Sequence, residues 1–201
     1  MSLPARPLAA AAMLFAHVPP VIFGALTPGY SHVRQFISEL GATGAPYGGI
    51  VSLGTFLPAG VLLMLTCAAL TRRVPSTRTA HLGLAMVALI GLSWVVAAVA
   101  PCDAGCPAEG SARQAVHNLA GAVGYVGGGV GFFMLASALH RAGASAARVA
   151  ATAACGVLLV VGFVAMARPE LEPVRGALQR VMELAASAWI LATAWRAPAT
   201  P

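Results

Sequence analysis

Four side chains of this sequence have the chemistry to move a proton or hold a cation: Glu39, Asp103, His117 and Glu183. Carboxylates and imidazole are the groups that general acid and base catalysis uses near neutral pH, and Glu39, Asp103 and His117 would also suit a metal ion. Arg34, Arg175 and Arg180 carry planar forks that match a phosphate, and Ser38 adds a hydroxyl to that ligand-binding set. Cys102 and Cys106 stand four apart in a turn rich in Gly and Pro, Pro101-Cys102-Asp103-Ala104-Gly105-Cys106-Pro107. On an oxidising membrane face such a pair reads best as a local disulfide. Paired metal thiolates would need two more ligands, and only Asp103 and His117 are near in sequence.

The elements that must position these groups are written in hydrocarbon. Of 201 residues 59% are hydrophobic and 9% charged, with a mean hydropathy of +0.83, too few charges to solvate a soluble domain of this size. The fold class expected is all-α, a polytopic membrane protein formed as a single membrane domain over 1–201. Residues 8–27, 49–70, 81–100, 116–138, 147–167 and 177–195 are apolar stretches of spanning length, about 20 residues each, which predicts six transmembrane helices. Arg6 precedes the first run as it would in a signal peptide, but the run is long, holds His17 and Pro19-Pro20, and lacks a small-x-small exit, so it is expected to remain as a helix.

Arginine placement orients the chain. Arg6, Arg72, Arg73, Arg78, Arg141, Arg148 and Arg196 fall on one side, which the positive-inside rule makes cytoplasmic. Both termini are then expected inside a cell membrane, and the acids lie at or near the outer end. The net charge of +6 comes from arginines scattered singly around apolar runs. No nucleic-acid partner is expected; membrane lipids are. No nucleotide-binding or common zinc motif is present, and the sequence implies no particular cofactor, metal or oligomeric state.

Between the first two spans, Tyr30 to Gly44 is the most polar stretch. Val33, Phe36, Ile37 and Leu40 recur at i, i+3, i+4 and i+7, which predicts a short interfacial helix with Ser31 as N-cap and Gly41 as C′ stop. On that helix Glu39 should turn towards His117 and Asp103. The glycines of the fourth span, Gly121 to Gly131, predict close approach to its neighbours. In the sixth, Arg180 and Glu183 stand at i,i+3 and are expected to face the bundle and pair. His17, beside Pro19 and Pro20 in the first span, is a buried ionisable group that either serves transport or is satisfied by a freed carbonyl. Cys67 and Cys155 read as small packing residues.

Tyr30-Ser31, Arg34, the run Ile37-Ser38-Glu39-Leu40-Gly41-Ala42, Pro46, the Pro101-Cys102-Asp103 to Cys106 turn, His117, and Gly176 with Gln179-Arg180 together resemble the domain of unknown function 998 (DUF998) family of bacterial membrane proteins. The resemblance covers nearly the whole chain. That family is similar in outline to the Frag1/DRAM/Sfk1 group, which implies a six-helix fold and a link to membrane lipids. An outer polar pocket, built from the 31–40 segment, the 102–106 turn and the tops of the fourth and sixth spans, is therefore expected. A lipid hydrolase or transferase is the leading expectation for it; a small-solute or ion transporter and a non-catalytic scaffold are the alternatives.

Overall fold

A computed structural model of the chain describes residues 3–197. Every regular element among them is helical. Six long helices follow one another: α1 (Ala5–Leu26), α2 (Gly48–Arg72), α3 (Arg78–Val99), α4 (Ala112–Arg141), α5 (Ala146–Met166) and α6 (Arg175–Ala194). The first five are long and apolar enough to cross a membrane. α6 has 20 residues, but Gln179, Arg180 and Glu183 make it too polar to qualify on composition alone. The expected six spans are thus five by composition, with α6 packed among them.

Helix starts are set by the sequence. Thr77, Ser111 and Ser145 are the N-caps of α3, α4 and α5, and their hydroxyls accept from the backbone N–H of Ala80, Gln114 and Arg148. Within α2, Ser52–Phe56 forms a wide π turn just before Pro58, whose ring nitrogen cannot donate to the turn above it. α1 stays helical through Pro19 and Pro20.

Each long helix packs chiefly on the next in sequence, and α6 returns to α1, so the six form a ring. Glycine sets three of these contacts. A Cβ at Gly91 of α3 would lie 2.6 Å from the carbonyl oxygen of Gly60 in α2; one at Gly131 of α4, 2.6 Å from that of Gly83; one at Gly156 of α5, 2.9 Å from that of Gly129. Backbones this close exclude any side chain and gain dispersion contact along their length, which is how helices associate without help from water. Inside the ring Phe132 stands edge-on to Trp189 at 5.2 Å, both buried. Outside it, Leu14, Val21, Leu119, Val161 and Leu184 are exposed, an apolar surface that a lipid bilayer covers and water would not.

The Tyr30–Gly44 stretch departs from expectation. Its regular part is a single 3₁₀ turn, Ile37–Gly41, not a helix of two to three turns. Ile37 and Leu40 are buried, but Val33 is exposed, so the apolar spacing is realised by tertiary packing and not by one helical face. Ser31 still caps locally, accepting from Arg34 N–H at 3.4 Å. Gly41 is small because it is crowded: a Cβ there would meet the Phe56 ring at 2.7 Å and Ser52 Oγ at 2.8 Å.

Candidate functional site

Where α3 and α5 end and α4 and α6 begin, the ring encloses a cavity of about 520 Å³. This is the end opposite the arginine-bearing loops 71–78 and 141–148. Phe36, Phe56, Trp94, Phe163 and Met166 form its apolar wall. Ser38, Cys106, His117, Asn118 and Arg175 line the wall nearer the loops, and Tyr125, Gln179 and Glu183 form a polar floor.

The floor is a directed chain of hydrogen bonds between three elements. Ile37 N–H donates to Gln179 Oε1 at 2.7 Å, Gln179 Nε2 donates to the Tyr125 hydroxyl at 3.0 Å, and that hydroxyl donates to Glu183 Oε1 at 2.6 Å. Tyr125, Gln179 and Glu183 are all buried. The chain ends on a free acceptor, because Glu183 Oε2 is buried and has no hydrogen-bond partner. A buried acceptor left without a partner costs about 1–3 kcal/mol.

Higher on the wall, His117 Nδ1 lies 3.1 Å from the Ala100 carbonyl oxygen. A carbonyl only accepts, so Nδ1 carries the proton and Nε2 of the neutral ring keeps a lone pair. Cys102 and Cys106 form a disulfide, with Cα atoms 5.1 Å apart. Cys67 and Cys155 are free and buried.

Beside the cavity the segment 30–41 is strapped to α6. Arg180 donates to the carbonyls of His32 (2.7 Å), Gln35 (3.0 Å) and Gly176 (3.0 Å) and to the Tyr30 hydroxyl (2.6 Å). Arg180 therefore does not pair with Glu183. The physical reason is direction: helical side chains lean towards the N-terminus, so Arg180 reaches up to the strap while Glu183, almost a turn deeper, meets Tyr125. Arg175 stacks over Phe36 at 4.5 Å and lies 3.4 Å from Glu39 Oε1. Glu39 also accepts from Phe36 N–H at 2.9 Å and from Gln35 Nε2 at 3.0 Å.

A family model described as "Protein of unknown function (DUF998)" matches residues 9–196. The chain belongs to that family. No curated protein and no solved structure matches it.

In this DUF998 member the candidate residues separate into two groups. His117, Glu183, Ser38 and Arg175 line the cavity. Glu39, Asp103, Arg34 and Arg180 do not. Glu39 faces Arg175 and Gln35 instead of His117. Asp103 accepts from Ser111 N–H and Oγ, both at 2.8 Å, and lies 3.6 Å from Arg113 at the start of α4. The Ser111 bonds, with Arg113 beside them, hold its carboxyl below the usual carboxylate range. Arg34 is exposed. Glu39, Asp103 and His117 consequently do not form a metal site; among the described residues the metal-ligating groups that converge are Cys102, Cys106 and His117, within 4.8 Å of one another. The disulfide occupies both sulfurs.

Tyr125 is the member of the cavity floor that sequence reasoning missed. Its signal was a single hydroxyl-bearing aromatic inside the Gly121–Gly131 run of α4. His17 is met by a side chain and not by a freed carbonyl: its Nε2 lies 2.8 Å from Ser187 Oγ, one turn below Glu183.

Proposed function

We propose that this polytopic membrane protein is lipid-handling, and that its cavity receives the polar end of a membrane amphiphile, with Glu183 taking a hydrogen bond or a proton from it. The observation that carries the reading is Glu183, a buried carboxylate with one oxygen that has no hydrogen-bond partner, in the lining of a cavity whose other wall is aromatic and apolar. Small-molecule sites of about 300–1,000 Å³ have this make-up, mostly apolar with a few convergent polar groups. Arg175 nearer the mouth suits a phosphate or an ester oxygen, and the lone pair of His117 Nε2 suits a hydroxyl donor. The arginine-rich loops belong on the cytoplasmic side of the cell membrane, which puts both termini inside and the cavity outside; cysteine labelling at positions 72 and 141 from outside the cell would overturn that orientation.

Mass spectrometry of lipids from cells with and without the protein tests the function. One lipid class should change on deletion, return with the wild-type chain and fail to return with Glu183→Gln. Identical lipid profiles would end the reading. A second reading has its own support: Glu183 and Tyr125 also border a cavity of about 20 Å³ that reaches His17 and Ser187. A proton flux across reconstituted vesicles, lost in both Glu183→Gln and His17→Ala, would replace lipid handling with transport.

A further inference from the structure

The cavity wall carries a second cluster of reactive groups, apart from Glu183. The two sulfurs of the Cys102–Cys106 bond are not equivalent: Cys102 is fully buried, whereas Cys106 lines the cavity. Three polar groups surround them. A ring nitrogen of His117 lies within 4.8 Å of both sulfurs, the Ser38 hydroxyl oxygen is 3.4 Å from Cys106 Sγ, and Cys102 Sγ is 3.6 Å from the Ser38 carbonyl oxygen. Because His117 spends its Nδ1 proton on Ala100, the neutral ring has a basic nitrogen to offer. Cys106 has a φ of 45°, left-handed and uncommon for a residue with a Cβ. The turn does not depend on the sulfur bridge alone, since Cys106 N–H donates to the Asp103 carbonyl and Thr43 N–H to the Cys102 carbonyl, both at 2.9 Å.

We propose that Cys102–Cys106 is a thiol–disulfide exchange site for a low-molecular-weight thiol admitted by the cavity, with Cys106 as the sulfur attacked and Cys102 as the leaving group. A bridge that served only to close a loop would need neither a base beside it nor an opening onto a cavity. In the first step the incoming thiol gives its proton to His117, and its sulfur bonds to Cys106 Sγ. The Cys106–Cys102 bond breaks, its electron pair leaves on Cys102 Sγ, and His117 returns the proton there. The products are a mixed disulfide on Cys106 and a Cys102 thiol placed to donate to the Ser38 carbonyl. A second thiol attacks the sulfur of the first, releases it as a small disulfide and leaves Cys106 as a thiol. Two electrons pass from the two thiols to the protein, and a small disulfide reverses the sequence.

The test uses the full-length protein in detergent, with glutathione as the probe and mass spectrometry of trapped peptides as the readout. The wild-type bridge should be reduced by glutathione while the protein remains folded by circular dichroism, and His117→Ala should slow that reduction by about a hundredfold. With oxidised glutathione, Cys102→Ser should gain an adduct on Cys106, and Cys106→Ser should gain one on Cys102 about tenfold more slowly or not at all. A bridge that yields only after the wild-type protein is unfolded overturns the proposal, whatever the variants do. So does reduction of folded His117→Ala at the wild-type rate, or faster adduct formation on Cys102 than on Cys106.

Discussion

Two polar networks sit side by side at one end of this bundle, and they are built to opposite specifications. The strap joins Tyr30, His32, Gln35 and Glu39 to Arg175 and Arg180, and Arg180 alone satisfies three carbonyls and a hydroxyl. The floor joins Gln179, Tyr125 and Glu183 in a single line that stops at an oxygen with no partner. The strap holds more charge, yet its charge is spent on backbone. Reading function from the number of ionisable groups would choose the strap; reading it from what is left unpaired chooses the floor.

The strap should prove indispensable to the fold. Arg180→Ala should have the largest effect on stability, about 3 kcal/mol, because it strands three carbonyls and the Tyr30 hydroxyl in a part-buried setting. Arg180→Lys should recover only part of this, since one ammonium cannot reproduce the fork. Thermal unfolding in detergent measures both, and a loss below about 1 kcal/mol for the alanine variant would show that the strap is not a structural device. Glu39→Ala should follow at about 2 kcal/mol, by freeing Phe36 N–H and Gln35 Nε2, and Glu39→Gln should cost about half as much because the amide oxygen still accepts. In a double-mutant cycle Glu39 and Arg175 should couple by about 1 kcal/mol, the partial exposure of Arg175 weakening the pair. Neither Glu39 variant should change the lipid profile.

The floor should answer in the opposite way. Glu183→Gln keeps an oxygen for Tyr125 and replaces the unpaired acceptor with an amide, so stability should stay within about 1 kcal/mol of wild type. The lipid phenotype should nevertheless be lost, since an amide neither accepts a proton nor carries charge. A Gln variant that unfolds readily while keeping the phenotype would turn Glu183 into a packing residue and erase the contrast between the two regions.

The long helices were legible in the sequence because a bilayer demands about 20 apolar residues per span, a signal that little else imitates. The glycines of α4 were legible as contacts for the same reason: Gly131 and Gly129 have no other use for so little volume. The strap was not. Val33, Phe36, Ile37 and Leu40 fit a helical period, but the Tyr30 hydroxyl takes the Phe36 carbonyl at 2.8 Å and Glu39 takes its N–H, so side chains from outside the pattern satisfy the backbone that a helix would have used. Arg180 and Glu183 were visible as a close pair of opposite charges, and pairing them was reasonable on spacing alone. What spacing lacks is the competitor 58 residues away, Tyr125, and the row of carbonyls that the strap brings to Arg180.

Asp103 gives the smallest expected change and the finest test, because it is a carboxylate near the cavity that belongs to neither network. It holds Ser111 and Arg113 at the start of α4, where a negative charge also meets the positive end of the helix dipole. Its folded pKa lies below the ordinary value of 3.8, so the native state binds fewer protons than the unfolded chain on the acid side. The stabilisation it provides is present above 3.8 and is lost as pH falls through the lowered folded value. His32 adds an earlier window. Burial, and then the adjacent Arg180, hold its imidazole below 6.5, so acidification must force a proton onto a ring that now lies 3.1 Å from the Arg180 guanidinium. Unfolding midpoints followed from neutral pH downwards should therefore fall in two stages, the strap loosening first and the α4 cap second. Asp103→Asn should flatten only the second stage and leave both the lipid phenotype and glutathione reduction of the Cys102–Cys106 bridge as in wild type. Loss of either activity in a folded Asn variant would move Asp103 from the cap into the site.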